Sequence, residues 1–360
     1  MNTPSVENIL DLPPYAVSQV DKEKYLLTLV KQLTSWHMLR CDMYRAFVSG
    51  LAPNGVEILS SLESVPFLPV DQFKVNELLS VGRDQVVKVM TSSGTSGQAV
   101  SKIFLDRNTA RFQSICLKNI MRDILGPRRL PMLIIDSPSV LRDRSTFSAR
   151  GAGILGFSAF GYKPVYALDD NFELDLDAVL GVIESSKDTP IFLFGFTFMI
   201  WEYLILPLER KGIQLDLGGS ILLHGGGWKK LADRNIHDEE FKARIYSRLG
   251  LISVKNYYGM VEQTGSIFAE CEHGVLHASS YADVVVRGDD LLPVNHGETG
   301  ALEVISALPL SYPGHVLLTE DVGAILGVDD CPCGRLGKYF RVSGRLEKSE
   351  IRGCSDTHEN

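Results

Sequence analysis

With 360 residues, 45% of them hydrophobic and 22% charged, the chain has ordinary globular composition and can bury one large core or two moderate ones. Its formal net charge of -8 argues against the broad basic surface that tracks nucleic-acid phosphates, while leaving room for a local basic pocket. The first fifteen residues lack a basic head followed by an apolar run, so no secretory signal is expected, and the six cysteines are expected as reduced thiols or metal ligands in a cytoplasmic protein.

Apolar spacing predicts a helix over 21–47 and shorter helical stretches at 56–61 and 70–79. After residue 88 the texture changes to short apolar strands punctuated by glycine, expected at 132–136, 164–168, 191–194, 220–224 and 252–257. Helical patterns at 174–185, 198–206 and 238–249 fall between them. The most apolar stretch, 192–208, is interrupted by Gly195, Glu202 and Pro207 and is short for a membrane span, so it reads as a buried strand followed by a helix. Strands alternating with helices argue for an α/β fold of parallel sheets covered by helices. From residue 266 the pattern becomes strands with short turns, at 283–287, 300–306, 315–319 and 322–326, which predicts a smaller antiparallel β lobe. No internal repeat is present, and 355–360 is polar and expected to be mobile.

Five motifs carry candidate chemistry. The first is the loop Ser92, Ser93, Gly94, Thr95, Ser96, Gly97: two glycines three apart admit close approach of a ligand, and the hydroxyls can donate to anionic oxygens. It lacks the GKS/T ending of a Walker loop, and a polar surface hairpin is the alternative. The second, Tyr257-Tyr258-Gly259-Met260-Val261-Glu262, follows a strand, where open α/β sheets bind ligands at the carboxyl end. Tyr258 offers a stacking face for a purine and Glu262 a carboxylate for Mg²⁺; a strand-exit turn with a core tyrosine is the alternative. The third, His224-Gly225-Gly226-Gly227-Trp228, is entropically costly unless something approaches its backbone closely; otherwise it is a flexible turn. The fourth, Thr319-Glu320-Asp321-Val322-Gly323, reads as a turn whose acid faces ribose hydroxyls or simply solvent. The fifth, Val342-Ser343-Gly344-Arg345, brings a guanidinium suited to ribose or phosphate.

Two close ligand pairs, Cys271 with His273 and Cys331 with Cys333, suit a structural tetrahedral zinc site, with His277 as a substitute for His273. Two unrelated turns with reduced thiols are the alternative. Cys41 and Cys116 fall in helical patterns and read as core residues.

In their order, SSGTSG, HGGG, YYGMVEQ, TEDVG and SGR make the chain resemble the adenylate-forming superfamily, and within it the bacterial acyl-protein synthetase (LuxE-like) family, with phenylacetate–CoA ligases second. The resemblance runs from about Val65 to Cys354 and implies the N-terminal-domain architecture of that superfamily over 1–345, with 266–345 as its smaller lobe. It further implies a truncated hinge and tail over 346–360 in place of the usual C-terminal domain. The activity implied is ATP-dependent conversion of a carboxylic acid, a fatty one, to acyl-AMP, followed by transfer to a thiol. By resemblance, Ser92 to Gly97 hold the triphosphate, with Thr95 on phosphate or Mg²⁺, and Gly225, Gly226 and Gly227 lie beside the adenine. Tyr258 and Gly259 stack on that base, Glu262 binds Mg²⁺, Asp321 binds ribose and Arg345 precedes the hinge. Cys354 is the implied acyl acceptor, and a fatty acid reductase the implied partner.

Where the superfamily's phosphate loop usually continues into Pro-Lys, this chain has Ala99 and Val100. It also lacks the superfamily's C-terminal lysine, for which Lys102, Lys229, Lys230 and Lys255 are alternative replacements. Phe196 and Phe198 are the candidates for lining an acyl pocket, against plain core. An aryl- or acyl-CoA ligase and a non-catalytic binding subunit on the same scaffold are the competing functions.

Overall fold

Phe192–Phe196, the heart of the most apolar stretch, is buried at every position, as a strand covered on both faces of a parallel sheet must be. The computed structural model describes residues 3–92, 100–141, 149–187, 189–226, 231, 234, 236–251 and 253–345. In chain order the principal strands are β1 (Val86–Thr91), β2 (Lys102–Asp106), β3 (Leu130–Ile135), β4 (Gly161–Tyr166), β5 (Phe192–Phe196), β6 (Ile221–Gly225), β7 (Ser253–Tyr258), β8 (Phe268–Glu270), β9 (Leu276–His277), β10 (Ala282–Arg287), β11 (Gly300–Ser306), β12 (Val316–Val328) and β13 (Lys338–Arg345). The principal helices are α1 (Gln19–Arg40), α2 (Asp42–Leu51), α3 (Arg107–Leu125), α4 (Ala149–Ser158), α5 (Leu176–Ser186) and α6 (Asp238–Leu249). The described residues group into two units, one from 3–92, 100–120 and 259–345, the other from those between 121 and 258.

The second unit is a parallel sheet in the order β4-β3-β5-β6-β7. Helices follow β3, β4, β5 and β6 in sequence; the crossovers β3–β4, β5–β6 and β6–β7 each return to a parallel neighbour, while that from β4 to β5 passes over β3. One face packs Leu133, Ile135, Leu193 and Leu222 against Ile200, Trp201, Leu204 and Phe241, each side chain contributing on the order of 2 kcal/mol by leaving water. Gly195 has no substitute in this packing: an added Cβ would stand 2.9 Å from Ile135 Cβ and 3.0 Å from Ile200 Cγ1. The helical run after β5 extends past its expected end to Arg210 through a π turn at Trp201–Ile205. Pro207 has no N–H to donate, and the wider turn before it accommodates that loss.

In the first unit an antiparallel sheet runs β10-β11-β12-β13-β9-β8, with β1 and β2 as a separate hairpin. This unit is wider than the 266–345 stretch set apart by texture. Its N-terminal helix is tied in by buried charge: Lys22 Nζ and Lys338 Nζ lie 3.5 and 3.3 Å from Asp283, and Gln19 Nε2 donates to that carboxylate at 2.6 Å. Burial of such a carboxylate without partners would be strongly destabilising.

Several local expectations are corrected. The helix expected over 21–47 is two, α1 and α2, separated at Cys41, whose backbone is extended. The stretch 56–61 forms no helix, and 70–79 contains only one turn, Gln72–Val75, because segments this short gain too little to meet the cost of nucleation. Thr319 to Gly323 is not a turn but the middle of β12. There the register against β11 shifts between Ala301 and Glu303. Thr319 Oγ1 donates to the Leu302 carbonyl at 2.8 Å and accepts from the Asp321 N–H at 3.1 Å, so the hydroxyl fills the gap that the bulge opens. No described helix is long and apolar enough to cross a membrane.

Candidate active site

Two of the motifs, together with Phe196 and Phe198, stand at the carboxyl ends of parallel strands in the second unit. His224 ends β6 in full burial, its Nδ1 3.0 Å from Thr197 Oγ1, which also donates to the Gly225 carbonyl at 3.1 Å. Burial, helped by the Lys242 charge, pushes the imidazole down to about 3, so it stays neutral near pH 7. The two glycines that follow are sterically required. An added Cβ at Gly225 would fall inside the Tyr257 ring, and Gly226 adopts φ +94 with Phe196 3.1 Å from where a Cβ would be. The tyrosine that covers the glycine turn is therefore Tyr257. Tyr258 is half-buried at the end of β7, and Gly259 follows it directly.

Phe196 and Phe198 have different surroundings. Phe196 is buried in an aromatic group: its ring meets Phe194 edge-on at 5.9 Å, and Phe194 and Tyr257 flank Phe157 at 4.5 and 5.0 Å. Phe198 is half-buried and meets Tyr203 at 6.4 Å. At the end of β3 lies a pair that sequence reasoning missed. Asp136 and Arg150 are both buried and stand 3.3 Å apart; burial pushes the Asp136 carboxyl up to about 6 despite the guanidinium. Only a tertiary contact marks them, since Asp136 reads as the polar end of an apolar strand.

The remaining motif residues among those described lie in the first unit. Ser92 and Ser101 close the β1–β2 hairpin: the Ser92 N–H donates to the Ser101 carbonyl at 3.1 Å, and the Ser101 N–H to Ser92 Oγ at 2.9 Å. Glu262 sits buried in a 3₁₀ turn, Val261–Gln263. Burial raises its carboxyl above the ordinary range; the Ser101 hydroxyl opposes this most, with smaller contributions from the charges of Lys74 and Arg345. Asp321 and Arg345 face each other across β12 and β13, and Arg345 Nε donates to Asp321 Oδ1 at 3.0 Å. The structure thus pairs Arg345 with Asp321, and the Lys74 and Arg345 charges both favour the ionised form of Glu262. Lys74 was not among the lysines singled out; Lys102 begins β2, and Lys255 lies on β7. Ser93, Gly94, Thr95, Ser96, Gly97, Gly227, Lys229, Lys230 and Cys354 lie outside the described residues.

The cysteine pairs do converge. Sγ of Cys271, Cys331 and Cys333 and a ring nitrogen of His277 all lie within 4.8 Å of one another. The histidine of the set is His277 and not His273. The turn after β8 directs the His273 N–H to Cys271 Sγ at 3.4 Å, while β9 brings the His277 ring back to Cys333 Sγ, also 3.4 Å away. The Cys271–Cys331 separation of 3.9 Å compares with the about 3.8 Å edge of a tetrahedron whose Zn–S bonds are about 2.3 Å. Gly274 and Gly334, at φ +73 and +81, turn the two loops, and the Arg335 N–H donates to Cys333 Sγ at 3.4 Å. The donor set and spacing fit a closed zinc site.

A protein-family model described as acyl-protein synthetase, LuxE, matches residues 3–360. The long-chain-fatty-acid–luciferin-component ligase of Vibrio harveyi is 23% identical over 352 residues, covering 95% of this chain and 89% of that protein. Its counterpart from Aliivibrio fischeri is 22% identical over 342 residues, covering 91% and 86%. Among solved structures, an open conformation of 2-hydroxyisobutyryl-CoA ligase in complex with 2-HIB-AMP and CoA has a TM-score of 0.69 and 16% identity, covering 94% of this chain and 78% of its own. The same ligase in its postadenylation state gives 0.68 and 16%, over 92% and 69%. These structures share the α/β fold expected from the sequence, including the smaller antiparallel part.

Proposed function

The chain belongs to the acyl-protein synthetase (LuxE) family, and from that premise we propose that it activates a fatty acid with ATP and passes the acyl group to a cysteine thiol. The observation that carries this reading is a family match spanning 3–360, joined by relatives named as long-chain-fatty-acid ligases. A carboxylate oxygen of the acid attacks the α-phosphorus of ATP, the bond to the β-phosphate oxygen breaks, and pyrophosphate leaves. A thiolate then attacks the acyl carbonyl, and the C–O bond to AMP breaks with its electron pair going to AMP. Positioning and charge neutralisation are the protein's contribution to the first step.

In this reading the loop Ser92 to Gly97 cradles the phosphates and Glu262 holds Mg²⁺. Gly225 to Gly227, Tyr258 and Gly259 receive the adenine, and Asp321 the ribose. The Arg345 contact gives that carboxylate a fixed direction, and exchange of a part-exposed ion pair for ribose hydroxyls costs little. Phe196, in its aromatic group, is the better of the two candidates for meeting an acyl chain. Cys354 takes the acyl group and hands it to a protein partner of the fatty acid reductase kind. The test is incubation with ATP and labelled fatty acid without CoA. Label should remain on the denatured protein and be released by neutral hydroxylamine; label that forms only when CoA is added points instead to a CoA ligase.

Zinc at Cys271, His277, Cys331 and Cys333 would be structural, since four protein ligands leave no open position. It would join the β8–β9 turn to the loop between β12 and β13. Protein purified without added metal should carry about one zinc per chain by elemental mass spectrometry. Changing Cys331 and Cys333 to serine together should remove it and lower the thermal midpoint; a metal-free wild-type chain of equal stability contradicts the assignment.

A further inference from the structure

We infer that Tyr312 is a positioning residue for Glu262, fixing the turn that aims its carboxylate; the inference rests on the metal role proposed above for Glu262. Tyr312 is wholly buried, and its hydroxyl donates to the Glu262 main-chain carbonyl at 2.8 Å. That hydroxyl also accepts from Gln113 Nε2 of α3 at 3.4 Å. The same Gln113 touches the other end of the turn. Gly265, at φ +92, lies so close that an added Cβ would stand 2.7 Å from Gln113 Cα.

Between these contacts the neighbouring Gln263 donates twice from one buried amide nitrogen, to Val304 O at 3.0 Å and Gly314 O at 2.9 Å. Gly314 needs its missing side chain, because a Cβ there would lie 2.9 Å from the Glu262 carbonyl and inside the Tyr312 ring. Phe73 meets the Tyr312 ring edge-on at 6.0 Å. The turn is therefore anchored at 262, 263 and 265. Of these anchors only the Tyr312 hydroxyl acts on the carboxylate-bearing residue itself, and it does so without touching the carboxylate. Removing it frees the φ/ψ of residue 262 while leaving the site's charge unchanged. Displacement of a charged ligand group by a fraction of an ångström is enough to weaken a metal–triphosphate complex.

The test compares Tyr312→Phe, which keeps the ring, with Glu262→Gln and the double variant. Acid-dependent ATP–pyrophosphate exchange is measured across a Mg²⁺ titration. Tyr312→Phe should raise the Mg²⁺ activation constant by about tenfold, with much of the exchange rate recovered at high Mg²⁺, and should add nothing in the Glu262→Gln background. A merely structural role would lower the thermal midpoint without moving that constant. An unchanged constant in Tyr312→Phe beside a raised one in Glu262→Gln overturns the inference alone, as does an additive effect in the double variant. An unchanged constant in Glu262→Gln overturns the metal role and the inference together.

Discussion

Replacing Cys354 by serine should reduce hydroxylamine-labile acyl label on the protein by at least about a hundredfold and cause acyl-AMP to accumulate. The expectation follows from the difference between the two nucleophiles: a thiol near its pKa supplies thiolate at neutral pH, whereas a serine hydroxyl needs an adjacent base to react. Of the chain's six cysteines, Cys41 and Cys116 are buried, with burial raising both thiols. Cys271, Cys331 and Cys333 are engaged with one another and with His277. Among the five described cysteines none combines exposure with freedom from such a cluster, which is in keeping with the proposal of Cys354 as the acceptor. The measurement is mass spectrometry of the C-terminal peptide together with quantification of free acyl-AMP. Full label on the serine variant would mean that the acceptor lies elsewhere.

The second large effect is expected at Glu262. Glutamine there keeps the shape of the side chain and removes the charge, so acid-dependent ATP–pyrophosphate exchange should fall by about 10²–10³-fold, the range seen when one charge-stabilising group is removed from an active site. Stability should move the other way or stay level. A carboxylate raised by burial is held in place against its own desolvation, and an isosteric amide lifts that cost. Loss of exchange with an unchanged or higher thermal midpoint is therefore the signature of a metal-binding carboxylate, whereas loss of both would mark Glu262 as a packing residue.

How far the sequence is readable follows from the range over which each signal acts. The strand expected at 300–306 is observed over the same residues, as is the helix at 238–249, because both depend on local periodicity. The two motifs at the ends of β6 and β7 fall where a parallel sheet presents its carboxyl edge, and their glycines could be flagged as close-approach positions from composition. That Gly225 is required by Tyr257 could not, because that contact joins adjacent strands from separate parts of the chain. Helix α3 enters the sequence reading only as the helical pattern around Cys116, without bounds, although Phe112, Cys116, Ile120 and Ile124 mark one buried face at four-residue steps. The Thr319 to Gly323 segment misled because acidic and glycine residues mark turns as often as they mark a bulge. Likewise, the nearness of His273 to Cys271 in sequence put it ahead of its substitute His277, which a hairpin returns to the cluster. Gln113 and Tyr312 carried no local signal at all, and Gln263 figured only as the last residue of the YYGMVEQ motif. Their roles arise from hydrogen bonds between segments far apart in the chain, as from Gln263 to Gly314 and from Tyr312 to Gln113.

The central claim is that this chain makes an acyl-adenylate, and isotope exchange between pyrophosphate and ATP tests it most directly because it requires neither a thiol nor a partner. Exchange that depends on both a long-chain fatty acid and Mg²⁺, in the absence of CoA, is the predicted result. Absence of exchange with every acid offered, from short to long chain, with and without a fatty acid reductase, would contradict it and leave a binding protein on an adenylate-forming scaffold.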